Sequence, residues 1–228
     1  MSEAASHAHA HGQEIVDEHF GAATDGKVGM WIFLLTDAFS FSGLLLAYAI
    51  LRAAAVPTRV MVEGKLMEQS WPFYGPDGEV RLGIGFTAVM TFVLICSSVT
   101  MVLALNAAQN RNKRGLIGYL GATILGGMFF LCGQAYEYNH LIHRHLTLQT
   151  DNMMATFFSV TGFHGLHVFT GVTYLTVIWI QCLFGKYSKG DYNNVEIAGL
   201  FWHFVDLVWI LVFTFIYLIP VDVKEVLP

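Results

Sequence analysis

Ionisable side chains stand inside two segments of this sequence that are otherwise apolar enough to cross a membrane. The segment FFSVTGFHGLHVFTGV carries His164 and His167, and the segment FWHFVDLVWI carries His203 and Asp206. Each pair has i, i+3 spacing, which places its two members on one face of a helix. A charge or a bare imidazole in hydrocarbon is costly unless it is paired or faces protein. These residues therefore mark a functional or closely packed interior.

A third helix can bring a carboxylate to the same depth. Asp37 lies in WIFLLTDAFSFSG, about nine residues past the predicted start of its helix, which is near the midplane at a rise of about 1.5 Å per residue. The cheapest arrangement for such groups is to pair them or to keep them neutral with hydrogen bonds. We expect Asp37 to meet His164 or His167 across the bundle, with His203 or Asp206 close enough to join.

Glu137 belongs to a different environment. It lies in the run GQAYEY, at the predicted outer end of the third helix. Two interpretations stay open: a solvated interfacial carboxylate assisted by Tyr136 and Tyr138, or a structural anchor. For the ionisable set as a whole, three roles remain open, namely buried pairs that fix helix register, a proton-handling or lipid-head-group site, and a metal site.

The composition requires a membrane protein. The 228 residues are 55% hydrophobic and only 13% charged, with a mean hydropathy of +0.54. Because about 20 apolar residues span the hydrocarbon core, we predict an all-α integral membrane bundle of five transmembrane helices. The net charge of −5 and the lack of a basic stripe argue against a nucleic-acid partner. The predicted spans are residues 28–54, 83–107, 116–138, 153–184 and 195–220.

The remaining segments complete the predicted organisation. Residues 1–27 form a flexible His-rich tail, residues 28–220 the membrane domain, and residues 221–228 a C-terminal tail. The long outer loop, 55–82, contains WPFYGPDG, which predicts a turn at Pro76–Gly78. Lysine and arginine are equally numerous on the two sides, but three of them crowd one short acid-free turn at residues 111–114. The positive-inside rule then predicts a cytoplasmic N-terminus and a periplasmic C-terminus.

Two other kinds of protein deserve comparison. The histidines of HLIHRH, at residues 140–145, together with His164 and His167, are similar to the His boxes of membrane di-iron enzymes. However, the predicted bundle puts the first cluster in an outer loop and the second near the midplane, so the metal interpretation is weak. A transporter with Asp37 as its proton carrier is disfavoured because the sequence has no internal repeat.

Small residues at Gly118, Ala122 and Gly126 predict a close helix–helix approach.

Four blocks of the sequence resemble subunit III of the haem–copper oxidases, and they occur in the order of that family. The blocks are GMWIFLLTDAFSFSGLLLAY, GQAYEY, FFSVTGFHGLHVFTG and FWHFVDLVWI. Together they cover essentially the whole membrane part. The chain looks like the short five-helix type, which lacks the two helices that precede this region in longer members. Asp37 falls where longer members carry a buried glutamate that reacts with a hydrophobic carbodiimide.

The resemblance implies an accessory subunit of a proton-pumping terminal oxidase in aerobic respiration. Such a subunit has no catalytic centre, metal or cofactor of its own; haem and copper belong to partner subunits. It packs on subunit I, accompanies subunit II and other oxidase subunits, binds phospholipid and supports proton uptake in the bacterial cytoplasmic membrane. The sequence agrees, because it has no set of six histidines suited to two haems and a copper. The expected polar or lipid-associated set is Asp37, Glu137, His164, His167, His203 and Asp206.

The electron donor of the complex stays open between two classes. An aspartate at the place of Asp37 and a His-rich N-terminus are similar to short quinol-oxidase members. The blocks GQAYEY and TGFHGLHV are similar to cytochrome c oxidase members. We therefore expect a cytochrome c oxidase subunit, with a quinol oxidase or a nitric-oxide-reductase-linked complex as the alternative.

Overall fold

The computed structural model describes residues 24–69, 71, 74, 82–185, 192–219 and 223–225. Five helices in this part are long and apolar enough to cross a membrane, which confirms the predicted number of spans. The third helix exceeds its predicted span at both ends. Residues 1–23 of the predicted flexible tail and the Pro76–Gly78 turn lie outside the described residues. The last residues of that tail are described, and the first helix already begins there at Asp25. The helices are α1 (Asp25–Ala53), α2 (Ile84–Gln109), α3 (Lys113–His143), α4 (Asn152–Leu183) and α5 (Asn193–Phe213), which continues as a π-helical turn over Thr214–Leu218.

Side-chain caps fix the starts of two helices. Asn112 accepts a hydrogen bond from the backbone N–H of Gly115 at 3.1 Å, so α3 starts directly after the short turn that follows α2. The Asp151 carboxylate accepts a hydrogen bond from the backbone N–H of Met154 at 2.9 Å at the start of α4. Each cap satisfies one of the backbone donors that a helix start leaves free. The caps therefore set where α3 and α4 enter the bundle.

The up-and-down helices give the bundle two ends. We call the end with the α2–α3 turn the turn end; there the Lys27 ammonium of α1 lies 2.9 Å from the Glu196 carboxylate of α5. At the opposite end, the Arg52 guanidinium donates to the carbonyl of Ile219 at 3.2 Å. Both contacts join α1 to the last helical segment. Helix α1 is thus held at its two ends, although most of its apolar side chains are exposed.

The second end, which we call the hairpin end, carries a small sheet that the sequence did not predict. Strands β1 (Thr58–Val62) and β2 (Lys65–Gln69) form an antiparallel hairpin, and β3 (Val223–Glu225) pairs with β2. The turn uses Glu63 and Gly64 with φ of 49° and 79°, and two positive φ values suit a two-residue hairpin turn. The segments predicted as an outer loop and a C-terminal tail therefore pair with each other.

Two tryptophans of α5 form the centre of the bundle. The Trp202 indole donates to the Ser97 hydroxyl at 3.1 Å, and the Trp209 indole donates to the Thr91 hydroxyl at 2.9 Å. Both rings are fully buried against α2. Gly127 of α3 makes room for one of them, because a Cβ there would lie 2.6 Å from a carbon of the Trp202 ring. The helices that carry the ionisable residues are therefore held at close distance.

The predicted small-residue contact forms at only one of the positions expected. A Cβ on Gly126 would lie 2.8 Å from the Ser97 Cβ, so α3 approaches α2 closely there. Gly118 has no neighbour within 4 Å of such an atom, and Ala122 is exposed. The close packing therefore involves only the last of the three predicted positions.

Candidate functional site

Asp37 and His167 form a buried pair between α1 and α4. The His167 Nε2 atom lies 3.2 Å from Asp37 Oδ1, and Nδ1 lies 2.7 Å from the carbonyl oxygen of Phe163. Because a carbonyl can only accept, Nδ1 carries a hydrogen. Two bare acceptors would repel each other, so the contact at Nε2 requires a proton, on nitrogen in an ion pair or on oxygen in a neutral pair. The structure thus forms one of the two pairings expected for Asp37, and that pair holds one exchangeable proton.

His164 does not take part in this pairing. Its side chain is fully buried, and neither ring nitrogen has a hydrogen-bond partner. The imidazole instead packs on aromatic rings, with centroid distances of 4.8 Å to Trp209 and 5.6 Å to Phe130. His164 therefore behaves as an aromatic core residue in this arrangement.

Replacing His164 with phenylalanine should leave stability nearly unchanged or raise it. The substitution removes two buried nitrogen atoms without partners and keeps the ring contacts, so we expect a change within about 1 kcal/mol in the free energy of unfolding. Titration of the purified protein with sodium dodecyl sulfate, followed by circular dichroism, measures this quantity. A loss above about 3 kcal/mol would mean that the imidazole has an essential polar contact.

His203 and Asp206 form a second polar group, apart from the first. The His203 Nδ1 atom lies 2.5 Å from the Ser98 hydroxyl of α2. Asp206 is buried with the Ser98 side chain as the hydrogen-bonding neighbour of its carboxylate, and neither oxygen has another partner in the described residues. Within the described residues, no hydrogen bond links this group to Asp37 or His167. The prediction that His203 or Asp206 would join that pair was wrong, because Ser98 of α2 takes His203 instead.

Glu137 is mostly buried and is anchored by hydrogen bonds. Its carboxylate accepts hydrogen bonds from the Tyr217 hydroxyl at 3.1 and 3.2 Å and from the Thr87 hydroxyl at 3.3 Å, and its side chain is only 8% exposed. The predicted assistants have other roles. Tyr136 is 64% exposed, and the Tyr138 hydroxyl bonds Thr161 at 2.7 Å. Of the two open interpretations, the geometry matches the structural anchor.

Several polar partners were not singled out from the sequence. Gln134 bridges α3 and α4, because its amide nitrogen donates to the Thr161 carbonyl at 2.6 Å and to the Tyr138 hydroxyl at 3.1 Å. Thr87 and Ser98 also belong to this class. Both are hydroxyl residues within the apolar run of α2, which could have indicated a polar contact. However, hydroxyls in membrane helices commonly hydrogen-bond to their own backbone. Only the fold shows which of them face a neighbouring helix.

Replacing Tyr217 with phenylalanine should destabilise the chain by about 1–3 kcal/mol, the usual cost of leaving a buried acceptor unsatisfied. The Glu137 carboxylate would keep only the hydrogen bond from Thr87. The free energy of unfolding in detergent measures this loss. Tyr136→Phe is the matched control, since that ring is mostly exposed, and it should have no effect. Equal stability of both variants would contradict the anchor.

The histidine clusters do not converge on a metal-like site in the described part of the chain. No group of three or more His, Cys, Asp or Glu side chains lies close enough there to hold an ion. His140 and His143 occupy the last turn of α3 at the hairpin end, beyond the helix end that the sequence predicted. His164 and His167 are instead inside α4.

Two grooves flank α1 in the membrane region. The α1–α4 groove has a volume of about 410 Å³ and is bordered by His167. The α1–α5 groove has a volume of about 400 Å³ and is bordered by His203. Their other lining residues are Met30, Phe33, Leu166, Thr170, Tyr174 and Phe201 in the first, and Trp31, Leu34, Leu35, Ala38, Leu200, Phe204 and Leu207 in the second.

Sequence comparison decides the family. The profile described as "Cytochrome c oxidase subunit III" matches residues 8–221. The chain belongs to this family. It is 36% identical over 202 residues to cytochrome c oxidase subunit 3 of Synechocystis, covering 88% of this chain and 78% of the relative. It is 34% identical over 211 residues to the subunit of the same name from Thermostichus vulcanus, with 91% and 94% covered.

The subunit III family also includes quinol oxidase members that resemble this chain. Cytochrome bo(3) ubiquinol oxidase subunit 3 of Pseudomonas putida is 31% identical over 194 residues, which cover 85% of this chain and 86% of the relative. The resemblance to haem–copper oxidase subunit III drawn from the four sequence blocks is confirmed. The chain is a multi-pass membrane subunit of that family, and the relatives serve both donor classes.

Proposed function

We propose that this chain is the accessory subunit III of a proton-pumping terminal oxidase, that it packs on catalytic subunit I, and that it uses no metal of its own. The complex is placed in the bacterial cytoplasmic membrane, with the turn end of the bundle in the cytoplasm. The observation that carries the proposal is the buried Asp37–His167 pair within a family match that covers most of the chain. Subunit II would be a further neighbour.

The Asp37–His167 pair supports a role in proton uptake. It holds one exchangeable proton near the middle of the membrane, and its His167 borders the α1–α4 groove. A buried pair of ionisable groups in a membrane helix is expensive, and such pairs commonly serve proton relays. The pair would buffer or conduct protons beside the catalytic subunit, while reduction of dioxygen takes place in that subunit.

The α1–α4 groove supports phospholipid binding. Its lining is almost wholly apolar, and both ring nitrogens of His167 already have partners in Asp37 and Phe163. The groove therefore offers apolar contact without a free hydrogen-bond donor from its histidine. This chemistry suits an acyl chain, which would be held by van der Waals packing, because the surrounding bilayer is itself hydrocarbon.

Cytochrome c is the electron donor that we propose, with quinol as the alternative. The chain shares more identity with the Synechocystis cytochrome c oxidase subunit than with the Pseudomonas putida quinol oxidase subunit, but the difference is small. The donor binds to other chains of the complex. Copper analysis of subunit II in the purified complex separates the two classes, because a two-copper centre accepts electrons from cytochrome c.

Depletion of this chain from the purified oxidase tests the accessory role. Mild detergent that removes the chain should leave the initial rate of oxygen uptake nearly intact, because the metals are in other subunits. The number of turnovers before inactivation should fall, and adding back the purified chain should restore it. Loss of oxygen uptake from the first turnovers, with the haem spectrum unchanged, would contradict the proposal.

A further inference from the structure

We propose that the α1–α5 groove binds a membrane quinone, one ring oxygen of which shares a hydrogen bond with His203 Nε2. The groove has a volume of about 400 Å³, which lies within the size range of about 300–1,000 Å³ for small-molecule sites. Sites of this kind combine apolar walls with a few placed polar groups. His203 is the titratable side chain in the lining of this groove.

The hydrogen bond of His203 to α2 leaves one ring nitrogen for the groove. Its Nδ1 atom is occupied by the Ser98 hydroxyl of α2 at 2.5 Å. The Ser98 hydroxyl also neighbours the Asp206 carboxylate, so its single proton goes either to Asp206 or to His203, and the tautomer of His203 follows from that choice. A neutral imidazole that accepts at one nitrogen carries its hydrogen on the other. Nε2 is therefore the ring nitrogen left for a ligand of the groove, as a donor to a quinone carbonyl in one tautomer and as an acceptor from a quinol hydroxyl in the other.

The histidines of the two grooves beside α1 differ in their hydrogen bonding. In the α1–α4 groove, both nitrogens of His167 are engaged, with Asp37 and with the Phe163 carbonyl. In the α1–α5 groove, Nε2 of His203 has no partner in the described part of the chain. The histidine of the first groove therefore has no ring nitrogen to offer a ligand, whereas the histidine of the second suits an apolar molecule with a hydrogen-bonding oxygen.

Depth and charge favour a quinone over a phospholipid head group. The groove follows α1 from Trp31 to Ala38, roughly 9–20 Å along the helix from its start at Asp25, at about 1.5 Å per residue. That is inside the hydrocarbon layer, whereas phosphate groups stay at its surface. No lysine or arginine lines the groove to bind a phosphate. The aromatic rings of Trp31 and Phe204 border it and suit a flat ring.

Photoaffinity labelling of the purified complex tests this site. The complex, held in phosphatidylcholine nanodiscs, is illuminated with a short-chain azido-ubiquinone, and mass spectrometry locates the labelled peptides. We expect label on residues 31–38 or 200–207, and excess unlabelled ubiquinone should remove it. Peptide location separates this site from any quinone site on another subunit. The haem-to-protein ratio, measured first, reports whether the oxidase is assembled, so a failure of the proposed function is seen separately.

Three variants sharpen the test. His203→Phe should lower the labelling by roughly threefold to tenfold, which is the loss of one hydrogen bond. Leu207→Trp, at an exposed position of the groove, should block labelling by filling the space. This variant tests the site independently if the His203→Phe complex does not assemble. His143→Phe, at an exposed end of α3, is the control and should label normally.

The following results would overturn the site. One is the absence of label from both peptides in the assembled complex, as expected if a partner helix covers the groove. Another is label that neither His203→Phe nor Leu207→Trp reduces. A third is label that unlabelled ubiquinone does not displace but added phospholipid does, which would assign the groove to an acyl chain.

Discussion

Replacing His167 with leucine is expected to destabilise this chain by about 3–5 kcal/mol, the usual cost of breaking a buried pair by removing one partner. The Asp37 carboxyl would lose its one hydrogen bond, because its second oxygen already has no partner. The free energy of unfolding in detergent, titrated with sodium dodecyl sulfate, measures the effect. The fraction of the chain that remains in the purified complex provides a second measurement.

The control is the double variant Asp37→Leu with His167→Leu. Replacement of a whole buried pair by apolar side chains is often neutral or stabilising, so the double variant should regain most of the stability that the single variant loses. A double variant as unstable as His167→Leu would show that leucine at position 167 disturbs packing, and the pair would then not be responsible.

Asp37→Asn separates the structural role of the pair from its proton. An asparagine amide can donate to His167 Nε2, so the hydrogen bond persists and the loss of stability should stay below about 1 kcal/mol. The shared proton is absent, however. We expect the first turnovers of oxygen reduction to continue and the endurance of turnover to fall. Normal endurance in an assembled complex would remove the pair from proton uptake.

Gly127→Ala is expected to have the other large effect, a loss of about 2–3 kcal/mol or more through overpacking. The new Cβ would lie 2.5 Å from a methyl carbon of Val172 and 2.6 Å from the Trp202 ring. Trp202 is fully buried and its indole is hydrogen-bonded to Ser97, so the ring has little room to move. Yield of the assembled complex and the free energy of unfolding both measure the effect.

Gly118→Ala is the matched control on the same helix. That glycine has open space where a Cβ would stand, and alanine is the better helix former by about 1 kcal/mol. The control should therefore be neutral or slightly stabilising. Equal destabilisation by the two substitutions would mean that α3 does not pack on Trp202 through Gly127.

The sequence predicted the helices well because hydropathy alone decides which segments enter a membrane. It also placed Asp37 at a depth similar to that of His164, since rise per residue converts position into depth. It could not choose between His164 and His167 as the partner of Asp37, because both lie on one face of α4. That choice depends on how α4 is rotated about its own axis relative to α1. In the fold, Trp209 and Phe130 pack around His164, and His167 is the residue that meets Asp37.

Other features needed the three-dimensional arrangement of the helices. The Tyr217 partner of Glu137 is 80 residues away in the chain, so no local spacing pattern could connect the two. Ser98 could not be singled out, because each hydroxyl residue of α2 could equally hydrogen-bond to the backbone of its own helix. The hairpin was not predicted from the sequence; its turn is at Glu63 and Gly64, both of which have positive φ values.

The most direct test of the central proposal is gentle purification of the tagged chain from its native membrane, followed by a reduced-minus-oxidised spectrum and an oxygen-uptake assay. An accessory subunit III should bring haem with it in a fixed ratio, and the preparation should consume oxygen when supplied with reduced cytochrome c. Uptake driven only by quinol would move the complex to the alternative class. A haem-free preparation with iron bound tightly to this chain would contradict the account.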